Sequence, residues 1–170
     1  MNYKWVGAVL VIAACGGFGI SLAAGYRRRE RLLQQLLRAL QTMRWELQYR
    51  LTPLPELCRR AGEETTGALR EVFRALSREL DTQTRADVSG CMQFALNASR
   101  DLPGCIRRLL RQLGRTLGRY DLEGQLQGLS AVKSACEESL AELGRNRENR
   151  LRSYQTLALC AGAALAILFA

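Results

Sequence analysis

"ERLLQQLLRALQTMRWELQYRLTPLPEL", Glu30 to Leu57, holds a regular apolar rhythm and the break that ends it, and the fold is read outward from there. Leu33, Leu36, Leu37, Leu40, Met43, Leu47 and Leu51 recur at steps of three and four, which lines them along one face of an α-helix. Pro53 then intervenes. Proline has no N–H to donate and disfavours helical geometry in the residue before it, so this first helix is expected to stop near Leu51. Thr52 is the expected N-cap of a second helix, with Pro53 at its first position, where a missing N–H costs nothing, and Pro55 still in the first turn. That short helix is expected to run to about Ala61 and end at Gly62. The stretch reads as a corner.

Helical signals continue beyond it. "TGALREVFRALSREL" places Leu69, Val72, Phe73, Leu76 and Leu80 on one face, with Thr66 as the expected cap of a third helix. Val88, Cys91, Met92 and Ala95 make a weaker fourth stripe, interrupted by Gly90. Pro103 and Gly104 open a fifth helix with Ile106, Leu109, Leu110, Leu113 and Leu117 inward, closing at Gly118. From an Asp121 cap, Leu122, Leu126, Leu129, Cys136, Leu140 and Leu143 follow a nearly heptad rhythm, with no firm break before the C-terminal apolar run. Gly124, Gly128 and Gly144 each weaken that last helix by about 1 kcal/mol against alanine, so a kink near Gly144 is open. No strand pattern is present, and the expected fold class is all-α, a six-helix bundle.

Charge is segregated along the chain. Trp5 to Tyr26 and Ser153 to Ala170 carry no charge at all, and every acidic residue and every basic one except Lys4 lies between them. A spanning helix needs about 20 predominantly apolar residues. The organisation expected is an N-terminal transmembrane helix over 1–26, a helical body over 27–152 and a C-terminal transmembrane helix over 153–170. Arg27, Arg28, Arg29 and Arg31 follow the first span, and Arg145, Arg147, Arg150 and Arg152 precede the second, which puts the body in the cytoplasm and both termini outside. Rival readings of the N-terminus are a cleaved signal ending at Ser21 to Ala23, a lipobox with Cys15 lipidated, and a buried core helix. The first two need positive charge ahead of the apolar run, where only Lys4 and the amino group stand.

Function classes narrow in the same way. The chain has no histidine, no C-x-x-C pair among its six cysteines, no phosphate loop and no nucleotide fingerprint. The adjacent pairs Glu63–Glu64 and Glu137–Glu138 point apart on a helix, so neither suits paired acid–base work. No catalytic, cofactor-binding or metal site is expected, and the cysteines read as buried free thiols in a reducing compartment.

Two patterns remain. Arg107, Arg111, Arg115 and Arg119 stand four apart, as do Arg70, Arg74 and Arg78, in a chain with 23 arginines, two lysines and a formal charge of +9. They read either as solvated helix faces or as docking faces for an acidic protein or anionic lipid; nucleic acid is not expected, because no reading motif accompanies the charge. Gly17, Ser21 and Gly25 in the first apolar run, and Ala158, Gly162 and Ala166 in the second, also stand four apart. Such small-residue rows let membrane helices approach closely, although alanine and glycine are common in spans for other reasons.

"LTPLPE", Leu51 to Glu56, and "LGRTLGRYDLEGQ", Leu113 to Gln125, set in a charged helical body between apolar ends, resemble the stage III sporulation protein AB family of endospore-forming bacteria over essentially the whole chain. The family's signature positions fall on Thr52, Pro53, Pro55 and Glu56, and on Gly114, Leu117, Gly118, Asp121 and Gln125. Ahead of the aspartate, where the family carries a small polar residue, this chain has Arg119 and Tyr120. The resemblance implies a mother-cell membrane protein facing the forespore, part of a secretion-like channel apparatus, with a body similar to the cytoplasmic domain of the type II secretion platform protein. It further implies partners among the other channel membrane proteins, a cytoplasmic secretion-type ATPase and membrane lipid. The alternative from another class is a membrane-tethered regulator that binds nucleic acid or anionic lipid through its arginine faces.

Overall fold

The computed structural model describes residues 25–82, 87–99, 101–118 and 121–169, with side chains up to residue 146. Among the described residues there are six helices and no strand. Helix α1 covers 25–45 and continues as a π-helical turn, Glu46–Arg50. After it come α2 (Leu54–Glu63), α3 (Ala68–Asp81), α4 (Val88–Ala98), α5 (Gly104–Thr116) and α6 (Leu122–Phe169). Each of α2 to α6 packs on the next in chain order, and α6 returns to the π turn, so neighbours run antiparallel. The helical expectation holds for the body. Residues 1–24 and the side chains of the C-terminal run lie outside the description, and within it no helix is long and apolar enough to cross a membrane.

The apolar stripes meet as their spacing requires. Leu33, Leu36, Leu40 and Met43 of α1 are at most 1% exposed, as are Phe73 of α3, Met92 of α4, Ile106 and Leu110 of α5 and Cys136 of α6. Each such side chain contributes about 1.5–3 kcal/mol through removal from water. Two members of the expected stripes lie elsewhere: Leu51 is 67% exposed and Leu122 40%. Both stand at helix ends, where backbone turning rather than helical period fixes the side-chain direction.

Both ends of the bundle can be identified from contacts. Arg28, near the beginning of the described part of α1, donates to the carbonyl of Asp101 at 3.3 Å and lies 3.5 Å from its carboxylate, which places the α4–α5 connection at the near end. The far end holds the π turn, the start of α4 and the α5–α6 connection. There α5 ends at Thr116, Leu117 is extended, and Gly118 takes φ +71°. A Cβ on Gly118 would stand 2.8 Å from Cγ2 of Val88 and 3.0 Å from Cδ1 of Leu54. Gly114 is equally confined, since a Cβ there would meet Cβ of Met92 at 2.6 Å. Glycine lets α4, α5 and the corner approach one another at these two positions.

Several expected caps are corrected. Pro53, not Thr52, occupies the N-cap of α2, which runs to Glu63 rather than ending at Gly62. Gly67, at φ +59°, precedes α3, while Thr66 exchanges two hydrogen bonds with the Gln35 side chain at 2.9 and 3.1 Å. Gly90 does not interrupt α4; it lies in the first turn, where its N–H donates to the Asp87 carboxylate at 3.1 Å. Asp121 caps α6 as expected, accepting from the Gly124 N–H at 3.0 Å. Cys58, Cys91, Cys105 and Cys136 form no disulfide. Burial pushes the Cys58 and Cys136 thiols up to about 12.

Two glycine substitutions should therefore move stability in opposite directions. Gly118→Ala is expected to destabilise by about 2 kcal/mol or more, from left-handed strain plus overpacking. Gly144→Ala, with open space around the added atom, should stabilise by up to about 1 kcal/mol. Urea denaturation of the two variants checks both signs.

Candidate functional site

Helix α1 has to stop ahead of Pro53, and it does so by widening. Across Glu46–Arg50 the backbone forms a π turn in which the Leu51 N–H donates to the Glu46 carbonyl, five residues back. The Thr52 N–H reaches the same carbonyl at 3.5 Å. Leu51 takes φ +50° and ψ +38°, the left-handed position that usually falls to glycine at a helix end. The chain then turns through Pro53, at φ −57° and ψ +146°, into α2.

This turn draws a carboxylate inward. Glu46 is 5% exposed and its oxygens are shared among three donors. Thr52 Oγ1 donates to Oε2 at 2.8 Å, Arg60 Nη1 donates to Oε1 at 2.7 Å, and Arg50 Nη1 stands 3.6 Å from Oε1. A buried charge is tolerated when it is paired and hydrogen-bonded. The Thr52 hydroxyl, with Arg60 beside it, holds the Glu46 carboxyl below its usual range against the opposing effect of burial. Arg60 then passes the network on, its Nε donating to Glu56 at 2.9 Å, while Arg59 donates to Glu56 at 2.7 Å and to Glu63 at 2.8 Å. Held by Arg59 first and Arg60 second, the Glu56 carboxyl is lowered to about 2. From α3, Ser77 Oγ donates to the Pro55 carbonyl at 2.9 Å and fastens the corner to the bundle.

The two segments that carry the sequence resemblance meet here, at the Gly118–Leu54 approach already described. Of the singled-out residues, Pro53, Pro55, Glu56 and Asp121 lie in this end of the bundle, and Gln125 is half-buried one turn into α6. The arginine row is not uniform. Arg107 Nη2 donates to the carbonyls of Leu96 and Ser99, the latter at 2.9 Å, closing the end of α4, whereas Arg111 and Arg115 are exposed. On α3, Arg70 Nε donates to the Thr65 carbonyl at 2.6 Å, while Arg74 and Arg78 are exposed. Arg119, Gly17 and Ser21 lie outside the described residues. Gly25 has open space around it, and Ala158, Gly162 and Ala166 fall on the backbone of α6 with undescribed side chains.

Sequence reasoning missed Glu46, Arg60 and the aromatic pair Trp45 and Tyr49. A carboxylate three residues after Met43, on the edge of an apolar stripe, was the available signal for the first. For the pair it was two aromatic residues four apart on the polar side.

The sequence model of the family described as stage III sporulation protein AB matches residues 4–170. The stage III sporulation protein AB of Bacillus subtilis (strain 168) is 26% identical over 167 residues, covering 97% of this chain and 98% of that protein. A solved structure of a stage III sporulation protein AB superposes with a TM-score of 0.63 at 24% identity, over 72% of this chain and 98% of that one, a likeness of fold.

Two predictions concern this site. Glu46 and Glu56 have folded-state pKa values below the ordinary 4.5, so their contribution to stability is present above that pH and is lost as pH falls below it, for Glu56 toward about 2. Urea midpoints should fall across this window, and less steeply in a Glu46→Gln, Glu56→Gln double variant; equal slopes would show that these carboxylates do not hold the corner. Arg107→Ala should cost about 1–3 kcal/mol by leaving two carbonyls unmet, while Arg111→Ala should stay within about 0.5 kcal/mol in the same assay.

Proposed function

The chain belongs to the stage III sporulation protein AB family, and from that premise we propose that it is a non-enzymatic membrane platform of the mother cell–forespore channel apparatus. A sporulation-related role follows from family membership. In the proposed arrangement two terminal helices anchor the protein in the mother-cell membrane facing the forespore, with both termini outside. The six-helix body stands in the cytoplasm and meets the other channel membrane proteins and a cytoplasmic secretion-type ATPase.

One observation carries this reading. The family's two signature segments come together at one end of the bundle, and their polar groups are engaged in building that end: Glu56 with Arg59 and Arg60, and Asp121 with the Gly124 N–H. Residues used this way supply a fixed shape rather than a reaction, which suits an adaptor. The uncharged terminal runs with arginines on both inner flanks support the topology. Arg111 and Arg115 remain available to lipid headgroups or acidic partners. The rival reading, a regulator gripping polyanions through a full arginine row, is weakened because Arg107 is taken up by the end of α4.

Co-purification from sporulating cells tests the proposal. Full-length chain solubilised with its membrane should retain other channel proteins and the ATPase, and charge reversal at Arg111 and Arg115 should leave binding to DNA or RNA no weaker than before. A retained set without any channel or ATPase component, or a salt-sensitive polyanion affinity abolished by that reversal, would replace platform with regulator.

A further inference from the structure

At the far end of the bundle, three large apolar side chains within seven residues stand in water: Trp45 is 51% exposed, Tyr49 67% and Leu51 67%. None of the three belongs to the buried core or to the side chains packed against it. Leu51 is the telling case, because its left-handed backbone is one that glycine adopts without strain, and the turn's hydrogen bonds come from backbone N–H groups that any residue would supply. The two aromatic rings are held beside one another, with centroids 5.7 Å apart, and the Arg50 guanidinium lies 5.2 Å from the Trp45 centroid while its Nη1 stands 3.6 Å from Glu46. Ordered Trp, Tyr and Arg on a π turn are the composition and the backbone feature that recur where proteins bind partners.

We propose that Trp45, Tyr49 and Leu51, framed by Arg44 and Arg50, are the seat for a partner protein that offers an apolar side chain flanked by carboxylates. The inference rests on the platform reading above and names the face through which it works. Three features select this occupant. Twenty residues of helix separate Gly25 from Trp45, about 30 Å at the usual rise, so with the first span in the bilayer the seat is held away from lipid. Glu46, next to Trp45 in the chain, is buried and its charge is met by Arg60 and Arg50, while Arg44 is exposed beside the rings and adds positive charge at their edge. A second copy would present the same positive seat from a chain of formal charge +9, whereas carboxylates on a partner complement it.

The test uses the full chain with Trp5→Phe, which makes Trp45 the single indole of a protein that has two. In lipid nanodiscs alone, Trp45 should emit as a solvated indole and be freely quenched by acrylamide. In the assembly co-purified from sporulating cells, the emission should shift to the blue and the quenching constant fall about threefold or more. Leu51→Gly, Tyr49→Ser and Arg44→Glu should each cut partner retention about tenfold, while the Leu51→Gly melting temperature stays level or rises by about 2–4 °C. A Leu51→Gly variant that melts earlier assigns the leucine to the fold and overturns the proposal. So does Trp45 left quenchable inside an intact assembly, a result under which the platform reading survives. Shielding by anionic vesicles, by an oligonucleotide or by raised concentration of the chain alone assigns a different occupant. Absence of any co-purifying channel protein removes the platform reading and the seat together.

Discussion

A side chain that is absent sets the geometry of the working end. Gly118 lies at φ +71°, where an added Cβ would meet Cγ2 of Val88 at 2.8 Å and the Cδ1 tip of Leu54 at 3.0 Å. That approach brings the start of α4, the end of α5 and the start of α2 against one another, although Leu54 and Gly118 stand sixty-four positions apart in the chain. Gly114 repeats the device one turn earlier against Met92. Interiors packed at this density respond to a single added methyl, so position along the chain matters less at this end than the exact size of each residue.

Polar chemistry follows from that packing. With the corner held, Glu46 can be buried, since Thr52 donates to one of its oxygens and Arg60 to the other. Arg60 is in turn shared with Glu56, and Ser77 fastens Pro55 to α3. Of the residues that carry the sequence resemblance, Thr52, Glu56 and Asp121 are thereby engaged in building this end. What faces water beside them is the outer side of the π turn, with Gln48, Tyr49 and Arg50 exposed between Trp45 and Leu51.

Most of the architecture was legible because helical burial obeys a local period. The stripes of α1, α3 and α5, the proline corner and the Asp121 cap all depend on residues within one or two turns, and each was found where spacing put it. The failures share a cause of the opposite kind. Thr52 and Thr66 satisfied the local rule for an N-cap, yet each bonds a side chain of α1 or its π turn, Glu46 six residues back for one and Gln35 across the bundle for the other. Arg107 has the same spacing as Arg111 and Arg115, but only Arg107 points at the unmet carbonyls that end α4. Leu51 stands at the last step of its apolar rhythm and Leu122 at the first step of another, where helical period does not fix the side-chain direction. Periodicity carries no information about such tertiary competition.

A double-mutant cycle between Leu54 and Gly118, followed by chemical denaturation, measures the contact on which this arrangement rests. If the two signature segments form one packed end, shortening Leu54 to alanine should return part of the stability lost in Gly118→Ala, with a coupling of about 1 kcal/mol or more. Strictly additive losses would contradict it, because two segments that do not touch have no means of compensating one another.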